Sequence, residues 1–265
     1  MSAAPGGFTW GRRTGLFLDF DGVLADIVDD PSMARPRPGL PDLVATLRSR
    51  LGRVAIVTGR PVSYVAPLVP ARIDVVGLYG LERQLAGDLH VRPEAARWRP
   101  VVAEVEADAT ERFGPGVVEP KGLSLTVHYR EDASLAAPMR VWAREQSART
   151  GLEYRPAKRS FELHPPIACD KGTVVTELAS GLEAVAYLGD DLGDLPAFDA
   201  LDRLAEAGIE VLRVAVDSDE APPVLLRRAD LVVDGPPGAE QFLRAVLAHL
   251  DDPPSLEIRT GRAGV

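Results

Sequence analysis

The chain has 265 residues, 46% of them hydrophobic and 26% charged, with 39 acidic against 30 basic side chains and a formal net charge of -9. These values are ordinary for a folded enzyme, and the length gives room for one large domain or two small ones. The acidic balance argues against a general nucleic-acid binder or a membrane-surface binder, because phosphate backbones and anionic lipids require clustered Lys and Arg.

In chain order, Met1-Ser2-Ala3-Ala4-Pro5-Gly6-Gly7 has neither a basic segment nor an apolar stretch behind it, so no secretory leader is expected. Leu16-Phe17-Leu18 is a short apolar run leading into Asp19 and reads as a buried strand. Leu40, Leu43, Val44, Leu47 and Leu51 recur at helical spacing behind a Pro38-Gly39 start signal. Val54-Ala55-Ile56-Val57 is a second buried strand, ending at Thr58-Gly59-Arg60, and Val75 to Gly80 reads as a third. Continuous apolar strands between amphipathic helices predict a parallel sheet covered on both faces.

From about Pro93 the pattern changes. A long helical stretch carries Trp98, Val101, Val102 and Val105; Leu123 to Tyr129 then alternates apolar and polar residues, as a strand with one wet face does. A helix around Pro138 to Thr150 follows, then a second alternating strand, Ser160 to His164. This predicts a small α+β insert with an open antiparallel sheet. The one cysteine, Cys169, has no partner for an internal disulfide. The buried pattern then returns. Val174, Val175 and Leu178 mark a helix, and Val185 to Leu188, Val211 to Val216 and Leu231 to Val233 mark strands. A last helix carries Phe242, Leu243, Val246, Leu247 and Leu250. No apolar run reaches the roughly 18–20 residues of a membrane helix, so the expectation is a cytoplasmic protein without a membrane or nucleic-acid partner.

The fold class is therefore α/β: a Rossmann-like parallel sheet core with helices on both faces, plus an inserted α+β cap domain. The expected division is a core of residues 1–92 and 168–250, a cap of 93–167 that sets substrate specificity, and a flexible tail of 251–265.

Three acidic or hydroxyl clusters fall at strand ends, where open parallel sheets bind ligands. They are Asp19-Phe20-Asp21-Gly22, Thr58-Gly59-Arg60, and Gly189-Asp190-Asp191-Leu192-Gly193-Asp194. Asp19 and Asp21, two residues apart, project to one side of an extended segment, and Lys171 opens the helix before the third cluster. Each piece alone reads as a cap, a turn or a solvated lysine. An EF-hand is excluded, since Gly22 is the fourth position from Asp19 rather than the sixth. There is no Walker loop.

Together and in this order, Asp19-Phe20-Asp21-Gly22, Thr58, Lys171 and Asp190-Asp191 with Asp194 resemble the four motifs of the haloacid dehalogenase-like hydrolase superfamily. A narrower likeness, to the trehalose-6-phosphate phosphatase family, rests on Leu18 to Leu24, Val57-Thr58-Gly59-Arg60-Pro61 and Tyr79-Gly80-Leu81-Glu82. It extends to two cap segments, Lys121 to Arg130 and Lys158 to Pro165. The chain departs from that family at Asp26 (commonly Pro), at Gly193-Asp194-Leu195 (commonly Thr-Asp-Glu) and at His164 (commonly Arg).

The resemblance implies a phosphoric monoester hydrolase acting on trehalose 6-phosphate in trehalose biosynthesis, through an aspartyl-phosphate intermediate on Asp19. It makes Asp21 the acid and base, and has Thr58 and Lys171 stabilise the phosphoryl group while Asp194 orients Lys171. Mg2+ is the implied cofactor, held by Asp19, Asp190, the Asp21 backbone carbonyl, and Asp191 directly or through water. Arg60, Lys121, His128, Arg130, Lys158 and Glu162 are the implied substrate-binding residues. The implied partners are a small sugar phosphate and, by functional link, a trehalose-6-phosphate synthase. Three alternatives stand beside this reading: the same chemistry on a related sugar phosphate or pseudo-disaccharide phosphate, a non-catalytic sugar-binding protein, and a receiver-like signalling protein.

Overall fold

The computed structural model describes residues 7–28, 30–85, 87–157, 159–218 and 221–252. Residues 253–265 of the expected tail lie outside the described residues, as does Lys158. Among the described residues, twelve strands form two sheets. They are β1 (Thr14–Leu18), β2 (Arg53–Val57), β3 (Asp74–Gly77), β4 (Glu82–Leu85), β5 (Asp88–Val91), β6 (Val118–Pro120), β7 (Leu125–His128), β8 (Glu153–Ala157), β9 (Ser160–His164), β10 (Ala184–Gly189), β11 (Glu210–Asp217) and β12 (Leu231–Asp234). No helix among the described residues is long and apolar enough to cross a membrane.

The larger sheet has the order β12-β11-β10-β1-β2-β3-β4-β5. From β12 to β3 all neighbours are parallel; β4 and β5 extend the sheet as an antiparallel hairpin. Alternation along β1 explains the layers. Leu16 and Leu18 join one apolar cluster with the helices Leu40–Arg50 and Gly235–Asp251, while Phe17 joins another with the helices Lys171–Leu178 and Leu195–Glu206. A strand buried on both faces can be apolar throughout, which is why its sequence reads as a continuous run.

The smaller sheet, β6-β7-β9-β8, is wholly antiparallel. Leu125, Val127, Phe161 and Leu163 pack one of its faces on the helices Arg99–Phe113 and Ala136–Thr150, around the buried Trp142.

Two expectations are corrected. The third core strand ends at Gly77 rather than Gly80, because Leu78 and Tyr79 have φ of +50° and +57°, which no strand accommodates. The polar face of the cap strands is not wet: all of β9 is buried, including Glu162 and His164, because this face meets the core instead of solvent. The expected parallel core is present from β12 to β3, and β4 and β5, whose polar, charged sequence carries no continuous apolar run, extend it as an antiparallel hairpin.

Candidate active site

β10, β1 and β2 are adjacent and parallel, so Asp190, Asp19 and Thr58, each the residue after its strand, emerge side by side at the C-terminal ends of the strands. Lys171, at the start of its helix, joins them. Its Nζ lies 2.8 Å from Asp19 Oδ2 and donates to Asp194 Oδ1 at 2.7 Å, with the lysine side chain only 3% exposed. Asp194 uses both of its oxygens inward. Oδ1 also accepts from the Tyr187 hydroxyl at 2.6 Å, and Oδ2 accepts from the backbone N–H of Asp190 at 2.9 Å and of Asp191 at 3.1 Å. Asp194 therefore fixes the lysine and the Asp190-Asp191 loop at once. Gly22 makes the close approach of the first loop possible: its φ is +72°, and a Cβ there would lie 2.1 Å from the Asp190 carboxylate.

Ligand atoms of Asp19, Asp190, Asp191 and Asp194 all lie within 4.8 Å of one another. Burial, the largest influence, pushes Asp19 well above the ordinary carboxylate range, Lys171 pulls it back, and Asp194 and Asp191 raise it again. Asp190 is pushed up to about 10 by burial and then by Asp19, Asp194 and Asp191. Lys171 is opposed by burial, but Asp19 and Asp194 hold its pKa well above the usual lysine value. A buried set of carboxylates served by one ammonium is short of positive charge. With Asp194 fully engaged, Asp19, Asp190 and Asp191 retain oxygen donors, an all-oxygen set that suits a hard divalent cation such as Mg2+.

Asp21 points elsewhere. Arg60 grips both its oxygens, Nε to Oδ2 and Nη2 to Oδ1, each at 2.8 Å, and Arg60 Nη1 donates to Pro31 O at 2.7 Å. The Arg60 guanidinium also stacks over the Tyr64 ring, 4.6 Å from its centroid. Its Nη1 lies 4.0 Å from Glu119 Oε1, so this arginine links the core to the cap rather than standing open toward the cleft. Thr58 is buried, and its hydroxyl oxygen accepts from the Arg60 N–H at 3.1 Å.

The cap contributes a row. Pairing register sets Glu119 opposite Thr126, Thr126 opposite Glu162, and Glu162 opposite Arg155, across all four strands of the small sheet. Glu162 accepts from Ser124 Oγ at 2.9 Å and lies 3.5 Å from Lys121 Nζ. His128 Nε2 lies 2.8 Å from Glu119 Oε2. Burial would raise Glu119, but His128, Lys121 and Arg60 overcome it and hold the carboxyl at about 2. Thr126 Oγ1 is buried without a hydrogen-bond partner, in the middle of this row. Arg130 is half-buried just past β7. The structure thus brings together Asp19, Asp190, Asp191, Asp194 and Lys171 in one cluster. A second contains Lys121, His128 and Glu162, and the Arg60–Asp21 pair lies between them.

Glu119, Thr126, Arg155 and Tyr79 are not among the site residues expected from the sequence, although Thr126 and Tyr79 lie in segments that carry the family likeness. For Glu119 a signal existed: it stands two residues before Lys121, which puts both on one side of an extended segment. Arg155 belongs to an edge strand with no apolar alternation, and Tyr79 is placed by its backbone conformation alone.

The chain matches the trehalose-phosphatase family over residues 17–226. It is 34% identical over 261 residues to the trehalose-phosphate phosphatase of Mycobacterium avium, covering 91% of this chain and 64% of that protein, so it spans less than two thirds of this curated relative. Among solved structures, a trehalose-6-phosphate phosphatase related protein superposes with a TM-score of 0.76 at 23% identity, over 89% of this chain and 99% of the other. The C-terminal domain of the Candida albicans trehalose-6-phosphate phosphatase does so with a TM-score of 0.71 at 21% identity, over 91% of this chain and 93% of the other. Both structural likenesses concern the fold.

Proposed function

The chain belongs to the trehalose-phosphatase family, and from that membership we propose that it hydrolyses trehalose 6-phosphate to trehalose and phosphate. The observation that carries the reading is the approach of the polar row of the cap to the Asp19–Lys171–Asp194 cluster: Arg60 Nη1 lies 4.0 Å from Glu119 Oε1, and Glu162, Lys171 and Asp19 all act on the Tyr79 phenol between them. One side offers a nucleophile and cationic stabilisation, and the other offers carboxylates and an unpartnered hydroxyl for sugar hydroxyls.

In the first step an Asp19 oxygen bonds to phosphorus as the bond from phosphorus to the sugar oxygen breaks, and Asp21 delivers the proton that oxygen needs. In the second, Asp21 takes a proton from water, whose oxygen attacks the phosphorus and releases phosphate and free Asp19. Arg60 holds both Asp21 oxygens, so it sets the orientation of this acid and base and must yield when the sugar oxygen arrives. Lys171 faces the phosphoryl oxygens with its charge secured by Asp194, and the Thr58 hydroxyl can donate to them while its oxygen accepts from Arg60. Asp19, Asp190, Asp191 and the Asp21 carbonyl would hold Mg2+, which when bound supplies the positive charge these carboxylates lack and offsets charge on the phosphoryl group. Lys121, His128, Arg130 and Glu162 bind the sugar, with Glu119 beside them. A synthase that makes the disaccharide phosphate would supply the substrate.

The test is phosphate release from trehalose 6-phosphate, sucrose 6-phosphate and glucose 6-phosphate, with Mg2+ and after chelation. Trehalose 6-phosphate should have the highest kcat/KM, and the chelator should abolish turnover. A preference for another of the three would keep the chemistry and move the substrate, a shift that His164, in the position commonly held by Arg, makes worth measuring.

A further inference from the structure

Leu78 and Tyr79 are consecutive non-glycine residues in the left-handed region, with φ of +50° and +57°. Such conformations cost on the order of 1–3 kcal/mol each and persist where the surroundings over-determine them. Here they are clamped from four directions. Leu78 N–H donates to Arg60 O at 3.0 Å and Tyr79 N–H to Thr58 O at 3.1 Å. Cys169 Sγ donates to Tyr79 O at 2.9 Å, and Arg92 Nε to Gly80 O at 2.9 Å.

The result is a phenol placed where an ordinary strand could not put one. Its hydroxyl reaches back over the phosphate-side loop, so close that a Cβ on Gly59 would lie 2.7 Å from it. Its ring faces the cap, 6.0 Å from the His164 ring and 5.8 Å from the Arg155 guanidinium carbon. Glu162, then burial, hold the phenol well above its ordinary pKa, with Lys171, Asp191 and Asp19 also within electrostatic reach, so the hydroxyl keeps its proton. Among the described residues nothing hydrogen-bonds it. Leu78 and Gly80 on either side are fully enclosed, whereas Tyr79 is only half-buried.

A wedge between cap and core would need the ring and not the hydroxyl. We propose that Tyr79 is a specificity-determining residue, whose hydroxyl donates a hydrogen bond to the sugar beside the scissile ester and sets the sugar in register with the phosphoryl site. The inference rests on the sugar-phosphatase reading above. A contact made equally in the bound substrate and the transition state acts on KM rather than kcat.

The experiment compares wild type with Tyr79→Phe, which keeps the ring and the backbone demand, on the three sugar phosphates and on p-nitrophenyl phosphate, a monoester with no sugar. The ratio of kcat/KM for the best sugar phosphate to that for p-nitrophenyl phosphate should fall about fivefold to tenfold, the worth of one hydrogen bond. A raised KM should carry the change, with the melting temperature unmoved. A ratio within twofold of wild type, or a parallel fall on both substrates, overturns the role of Tyr79 and leaves the enzyme reading intact. A wild type that cleaves p-nitrophenyl phosphate and none of the sugar phosphates overturns the sugar reading and this inference together.

Discussion

Along β1 and β10 every residue is buried, side chains on both faces meet helices, and the reactive groups wait until the strand has ended. Along β9 every residue is buried too, yet Ser160, Glu162 and His164 sit within the strand, on a face covered by the core rather than by helices of the cap. The two sheets thus place function differently. The core keeps its strands apolar and delivers Asp19, Thr58 and Asp190 from strand ends, where loops can hold carboxylates close enough to share Lys171. The cap uses strand pairing itself as a ruler, so that Glu119, Thr126, Glu162 and Arg155 fall in one line. On the proposed reading, chemistry that depends on sub-ångström approach sits on the first kind of scaffold, and recognition of an extended sugar on the second.

The widest separation between the two should appear at Asp19. Asp19→Asn removes the proposed nucleophile while leaving an isosteric neighbour for Lys171, and turnover of both trehalose 6-phosphate and p-nitrophenyl phosphate should fall at least about 10⁴-fold. Stopped assays for free phosphate measure it, together with phosphate trapped covalently on the wild-type chain after a rapid acid quench. Turnover retained in the variant would end the assignment.

Glu162→Gln should act on one substrate only. It keeps the shape of the side chain and removes the charge that accepts from Ser124 and faces Lys121. Losing a charge-assisted contact of about 1.5–3 kcal/mol predicts a drop of roughly 10- to 100-fold in kcat/KM for the sugar phosphate. The variant should lose less on p-nitrophenyl phosphate, which cannot reach the cap row. Equal losses on the two would mean that Glu162 holds the domains together instead of reading the sugar.

Legibility in the sequence followed the same division. A core strand buried on both faces leaves a continuous apolar run, and the residue just past that run is marked by its position; Asp19, Thr58 and Asp190 stood out for that reason. A cap strand leaves alternation, which says that one face is polar but not what will cover it, so Glu162 was singled out by the family likeness of its segment and not by the pattern. Registers are invisible to a single sequence. Thr126 becomes part of the site only because it pairs with Glu119 on one side and Glu162 on the other. The role of Tyr79 was hidden differently: Val75 to Gly80 has the composition of a strand, and tertiary hydrogen bonds donated to the Thr58 and Arg60 carbonyls and accepted from Cys169 override that local preference.

The smallest effect concerns the seam where the two sheets meet, and it comes in two pH windows. His164 is buried, its Nδ1–H donates to Pro165 O at 2.8 Å, and the Leu78 backbone also lies within its reach. Burial lowers its pKa, Glu162 opposing and Arg155 adding to that effect, with the Tyr79 ring as its other neighbour. The folded protein therefore binds this proton less readily than the unfolded chain. The contribution is fully present above the ordinary histidine value of 6.5 and is lost as the pH falls below it. Glu119 behaves likewise lower down. Its stabilisation by His128, Lys121 and Arg60 is present above 4.5 and lost as the pH falls toward about 2. That window is about 3 kcal/mol at most, before screening by solvent at its partly exposed carboxylate. Denaturant unfolding of the wild type should show stability declining first below pH 6.5 and again below pH 4.5. His164→Phe should flatten only the upper decline and Glu119→Gln only the lower. An upper decline that survives His164→Phe would place its origin away from the seam, and the polar face of the cap would then be covered by the core without being held there by a neutral imidazole.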